Sequence, residues 1–273
     1  MGGSSCNDVR YQTADLYDMT TGIWSRLPDM NVQRACRPGA VVVQRIHGPR
    51  IYVFGGLNDT TDVDSCEFLD VDNGQWNLIE HTMNTPRSCA CAVLLDNSTV
   101  VICGGFTSKN PSITGDCERF DLTSHTFSSF PPMIIPRASH AGVHYSGTIV
   151  VMGGHYRSDD QCACEQFDQD MFKWIAFPSL NIPRTDFGAA VVGGMIYVAG
   201  DNDCIEVYDG SVWNIVATIA CRFFANAVVC DGKVVVLGMN KEGPVVYDPS
   251  TRSASLIPSN HVTVRRNMAV VSY

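Results

Sequence analysis

A chain of 273 residues with 45% hydrophobic and 17% charged side chains has ample material for a core and does not read as disordered. Nineteen basic against 28 acidic side chains give a net charge of −9, which argues against a general nucleic-acid or anionic-membrane binder. Apolar runs such as 40–43 and 233–237 fall far short of the roughly 20 residues that span a bilayer, and the N-terminus lacks the regions of a secretory signal, so a cytoplasmic location is expected.

One four-part unit recurs along the chain. The first copy is partial: Tyr17-Asp18, then Trp24, then Arg34. The second runs from an apolar strand ending at Gly55-Gly56, through Leu69-Asp70 and Trp76, to Arg87. The third has Gly104-Gly105, Phe120-Asp121, Phe127 and Arg137; the fourth has Gly153-Gly154, Phe167-Asp168, Trp174 and Arg184. The fifth is weaker at its start, with Ala199-Gly200, Tyr208-Asp209, Trp213 and Arg222. In the sixth, Leu237-Gly238 and Tyr247-Asp248 lead to Ala254 in the aromatic slot and then to Arg265. Each unit holds short β-branched or aromatic runs broken by turn residues, without helical periodicity. The stretches 18–24 and 70–76 read as hairpins between the third and fourth strands.

Repetition of this pattern along essentially all 273 residues resembles the kelch repeat. The resemblance implies one all-β domain over 1–273, a six-bladed propeller with a four-stranded antiparallel sheet per blade. Ala269-Val270-Val271 reads as a first strand with no second strand after it, and Met1-Gly2-Gly3 aligns with Met152-Gly153-Gly154 at the end of a second strand. The last blade is therefore expected to be closed by the two ends of the chain, the C-terminal strand joining an N-terminal pair. A longer natural chain and an incomplete closing blade both fit this start.

In a meander of strands a to d, the b–c loops and the d–a connections share one rim. The resemblance implies that partners dock there. Arg34, Arg87, Arg137, Arg184, Arg222 and Arg265 lie in the connections, as do Arg37 and Arg266. Arginine's fork suits carboxylates, so an acidic peptide is one expected ligand. The other reading has these arginines bracing blade against blade, and recurrence once per repeat favours it. Arg37 and Arg266 stand outside the repeated slot and are the better binding candidates. Further rim candidates are Asn58, Phe106, His140, His155, Tyr156, Arg157, Phe187, Phe223, Asn226 and Asn240, aromatic and polar types that dominate protein interfaces.

Cys66, Cys117 and Cys164 precede Glu67, Glu118 and Glu165 at one repeated slot, the pattern of small core residues. Cys89-x-Cys91, Cys162-x-Cys164 and the pair His140 and His144 have strand rather than chelate spacing, so no metal or cofactor is expected. No catalytic motif is present. The expected function is a protein-binding module, either a substrate-recognition or a scaffold propeller. Adaptors of this resemblance serve cullin-type ubiquitin ligases through a separate BTB or F-box segment, which this chain does not show. The alternative is an enzyme resembling the sialic-acid epimerases, with a central arginine-lined pocket.

Overall fold

The computed structural model describes residues 1, 12–108, 112–157, 159–219, 225–238 and 244–257. A hairpin comes first, β1 (Ala14–Asp18) with β2 (Ile23–Leu27). Blade 1 is β3 (Gly39–Val43), β4 (Arg50–Phe54), β5 (Cys66–Asp70) and β6 (Gln75–Leu78). Blade 2 is β7 (Cys91–Asp96), β8 (Thr99–Cys103), β9 (Cys117–Asp121) and β10 (Phe127–Phe130). Blade 3 comprises β11 (Ala141–Tyr145), β12 (Thr148–Met152), β15 (Cys164–Asp168) and β16 (Lys173–Phe177). Its b–c loop carries a small ribbon of β13 (His155–Tyr156) and β14 (Asp159–Asp160). Blade 4 is β17 (Gly188–Val192), β18 (Met195–Gly200), β19 (Asn202–Tyr208) and β20 (Trp213–Thr218). Blade 5 is β21 (Asn226–Cys230), β22 (Lys233–Leu237), β23 (Val245–Asp248) and β24 (Ser253–Leu256).

Every blade is an antiparallel meander with its strands paired in chain order. The inner strands adjoin in the order β3, β7, β11, β17, β21. The result is an all-β propeller of five four-stranded blades among the described residues, a correction to the six expected. The β1–β2 hairpin is a separate two-stranded sheet that packs on blade 1, Ala14 and Met30 meeting Ile51, Val53 and Leu69. The strand expected at 269–271 lies outside the described residues.

The core lies between blades rather than within one. Val41, Tyr52, Phe54 and Cys66 of blade 1 pack against Val100, Ile102 and Phe120 of blade 2. The next interface repeats the arrangement, with Val101, Cys103 and Cys117 against Ile149, Val151 and Phe167. The tryptophan slot belongs to the same joints. The indole N–H groups of Trp76, Trp174 and Trp213 donate to the carbonyls of Pro28, Pro131 and Pro178, each at the exit of the preceding blade or hairpin, at 2.8–2.9 Å. The aspartates at the ends of third strands close the c–d hairpins by accepting backbone amides two or three residues on, as Asp18, Asp121 and Asp209 do. Among the described residues, no helix is long and apolar enough to cross a membrane.

Candidate functional site

The rim of b–c loops and d–a connections is built on the anchor arginines. Arg87, Arg137 and Arg184 each hold two blades together, backbone on one and side chain on the next. Gly56 N–H donates to the Arg87 carbonyl, while Arg87 N–H donates to the Val63 carbonyl of the same b–c loop. The Arg87 guanidinium then donates to the Gly104 and Asp116 carbonyls at 2.9 Å and to Glu118 at 2.8 Å in blade 2. Arg137 repeats this between blades 2 and 3, reaching Gly153 O, Ala163 O and Glu165 Oε1 at 2.6–2.7 Å. Arg184 does so between blades 3 and 4, reaching Gly200 O and Glu206 at 2.7–3.1 Å and Cys204 Sγ at 3.0 Å. Arg34 closes on Glu67 at 2.9 Å and on the Gly55 and Ser65 carbonyls.

This geometry explains the glycine pairs. Gly104 has φ near +61°, and a Cβ there would collide with the Arg137 carbonyl; Gly55 stands in the same relation to Arg87.

Arg34, Arg87, Arg137 and Arg184 are at most 1% exposed. That corrects the expectation that they receive a partner. The carboxylates they meet are the chain's own, so these four are not carriers of an argument for an acidic ligand. Arg37 is also buried, although it stands outside the repeated slot. It leaves the connection before blade 1 and donates to Phe187 O at 2.7 Å and Ala225 O at 3.2 Å, at the entrances of blades 4 and 5. Asp186 lies 3.8 Å from its guanidinium. The side chain therefore crosses the mouth of the ring. His140 and Phe187 are likewise inside the wall rather than on the rim, His140 with neither ring nitrogen in a hydrogen bond among the described residues.

The remaining candidates divide clearly. Asn58, Phe106, His155, Tyr156 and Asn226 are half-buried and Arg157 is exposed. Asn58 caps its own loop through the amides of Thr60 and Thr61. His155 pairs with Asp160 at 3.2 Å, and the Arg157 guanidinium stacks over the Tyr156 ring at 5.1 Å. Arg222, Phe223, Asn240, Arg265 and Arg266 lie outside the described residues. Around these groups Asp59, Asp116, Asp159 and Asp160 are exposed. Asp201, on the same rim, is held above the usual carboxylate range by burial and by the nearby charges of Asp160 and Asp186. With the arginines neutralised inside, the described rim is acidic.

Sequence reasoning placed Glu67, Glu118 and Glu165 at a repeated slot without identifying them as the arginines' partners. The signal was one glutamate per repeat on the third strand, continued by Glu206. A second feature was also missed. Two residues after each arginine, Cys36, Cys89, Ser139 and Asp186 adopt left-handed backbone with φ of 51–54°. Cys89 N–H donates to Cys36 O, Ser139 N–H to Cys89 O, Asp186 N–H to Ser139 O and Ala225 N–H to Asp186 O, at 2.8–3.0 Å, making a belt from blade to blade around the mouth. Among the described residues, no three His, Cys, Asp or Glu side chains converge to hold a metal ion.

A family model described as the KLHDC2/KLHL20/DRC7 Kelch-repeats domain matches residues 1–200. The chain belongs to the kelch-repeat family. Kelch relatives include, from Caenorhabditis elegans, the Kelch repeat and BTB domain-containing protein F47D12.7, 32% identical over 101 residues. Another is the Kelch repeat-containing protein kel-10 of the same organism, 33% identical over 102 residues. Each match covers 37% of this chain and 17% of the relative, so the kelch chain spans only a small part of those proteins. The solved structure described as "Structure of YjhT" superposes with a TM-score of 0.74 over 93% of this chain and 96% of that one. At 12% identity this similarity concerns the fold alone.

Proposed function

We propose that the chain is a protein-binding module, a substrate-recognition or scaffold propeller, that docks a partner on the rim of b–c loops and d–a connections. The observation that carries this reading is the division of the rim into a buried, self-neutralised arginine frame and an exposed set of loops. The loops offer aromatic and polar groups of the kind found at interfaces, Phe106, His155, Tyr156 and Arg157 among them. Arg37 across the mouth favours a partner lying over the rim rather than a ligand deep in the channel. The exposed aspartates favour a partner with a basic or neutral face, in place of the acidic peptide expected from the arginine count. In this reading the sixth blade completes the ring around the β1–β2 hairpin. Recruitment to a cullin-type ligase belongs to a longer chain carrying a BTB segment, as one relative does by its name.

The enzyme alternative required arginines facing a central pocket. The four described anchors face the blade walls instead, so no catalytic role is proposed for them. A peptide array of basic, neutral and acidic sequences, run beside a thermal-shift screen of sugars, tests the choice. Binding of basic peptides that weakens with salt and with Asp159→Asn supports the module. Stabilisation by sugars with no peptide bound overturns it.

A further inference from the structure

Cys36 and Cys89 occupy the same place in adjacent repeats, two residues after Arg34 and Arg87, on the belt at the mouth. Cys89 N–H donates to Cys36 O at 2.8 Å. A direct backbone bond of this kind makes the two residues immediate neighbours, and a disulfide needs Cα atoms within roughly 7 Å. Both side chains face the same apolar cluster at the mouth, with Ala138, Phe106 and Ile113. Cys36 is half-buried and Cys89 buried. An oxidant from solvent therefore meets Cys36 first and finds its partner already in place.

We propose that Cys36 and Cys89 are a thiol pair that closes to a reversible disulfide on exposure to hydrogen peroxide, stapling blade 1 to blade 2 at the mouth. The Cys36 sulfur, as thiolate, attacks one peroxide oxygen; the O–O bond breaks, hydroxide leaves, and Cys36 becomes a sulfenic acid. The Cys89 sulfur then attacks the Cys36 sulfur, the S–O bond breaks, and water leaves. Two thiols and one peroxide give one disulfide and two waters, both sulfurs being oxidised and both peroxide oxygens reduced. Burial and the adjacent Cys36 thiol keep Cys89 protonated until that second step, which suits a resolving rather than an attacking role. The chain holds its own control. Cys91, Cys103 and Cys117 stand opposite one another on β7, β8 and β9, but all three are buried and none is half-buried as Cys36 is.

The test is peptide mapping of the native protein titrated with hydrogen peroxide and then alkylated. The expected result is a linked Cys36–Cys89 peptide pair, lighter by two hydrogens, that forms at a lower peroxide dose than any pair within Cys91, Cys103 and Cys117. Its formation should raise Tm, and dithiothreitol should reverse both changes. Cys36→Ser and Cys89→Ser should each abolish the peroxide-dependent rise. Mapping of the unmodified chain decides the matter even if a variant fails to fold. Finding Cys36 and Cys89 still reduced when other cysteines are oxidised, linked only after denaturation, or linked without a change in Tm would overturn the proposal.

Discussion

Removing the Arg137 guanidinium takes a donor from three partners at once. Glu165 would remain as a carboxylate in a wall where its side chain is 3% exposed, and the Gly153 and Ala163 carbonyls would each lose a donor. Breaking a buried ion pair from one side costs about 3–5 kcal/mol, because the remaining charge, although it still accepts the amides of Ile134 and Ile135, has lost its counter-charge away from water. The lost carbonyl bonds add to this unless water enters the gap. For a chain of this length each kcal/mol lowers Tm by about 2–4 °C, so Arg137→Ala should melt roughly 6–20 °C below the parent in a calorimetric or circular-dichroism scan. The double variant Arg137→Met with Glu165→Met removes both charges and should recover a large part of the loss. An Arg137→Ala protein that melts within about 2 °C of the parent would refute the bracing account, as would a double variant no better than the single one.

Other consequences follow from the same joints. Gly104→Ala should destabilise the fold by about 2 kcal/mol or more in chemical denaturation, because alanine disfavours a left-handed φ and its methyl would push against the Arg137 carbonyl. Burial pushes the thiols of Cys66 and Cys164 up to about 12. At neutral pH, quantified thiol labelling should therefore find both inert in the native protein and all twelve cysteines reactive after denaturation. Hydroxyl and amide hydrogen bonds from Ser250 lower the Asp248 carboxyl to about 2, and amides likewise lower Asp18, Asp121 and Asp209. Because these folded-state values are depressed, their contribution is complete above about pH 4, the unfolded carboxylate value, and is lost as pH falls toward 2. Tm measured across that window should drop, and Asp248→Asn should make the drop shallower.

The blades were legible because their signals are local. Gly-Gly after an apolar run, an aromatic before Asp, and a tryptophan a few residues later each report a contact inside one hairpin or at one joint. The glutamate partners were harder to read. Arg34 reaches Glu67 whereas Arg184 reaches Glu206, so the sequence separation changes with the length of the intervening b–c loop. Arg37 was misread for another reason. Its partners at Phe187 and Ala225 lie across the ring, and only the three-dimensional closure of the propeller brings them together. The left-handed backbone at Cys36, Cys89, Ser139 and Asp186 left no glycine to mark it, because the belt of hydrogen bonds holds residues that would not choose that conformation alone.

The belt and the arginine clamps also divide the chain into what must keep its length and what need not. The clamps grip the ends of the b–c segments, and the belt joins only the d–a connections to one another. Residues 104–116 separate β8 from β9, yet Asp201 alone separates β18 from β19, and Arg184 still reaches the carbonyl of Gly200 and the carboxylate of Glu206. Insertions and deletions in these segments are thereby uncoupled from the scaffold's register. A protein built this way can diversify, or be grafted with foreign segments, one loop at a time, whereas adding a single residue between an arginine and the left-handed position two places later would throw the whole circuit out of step.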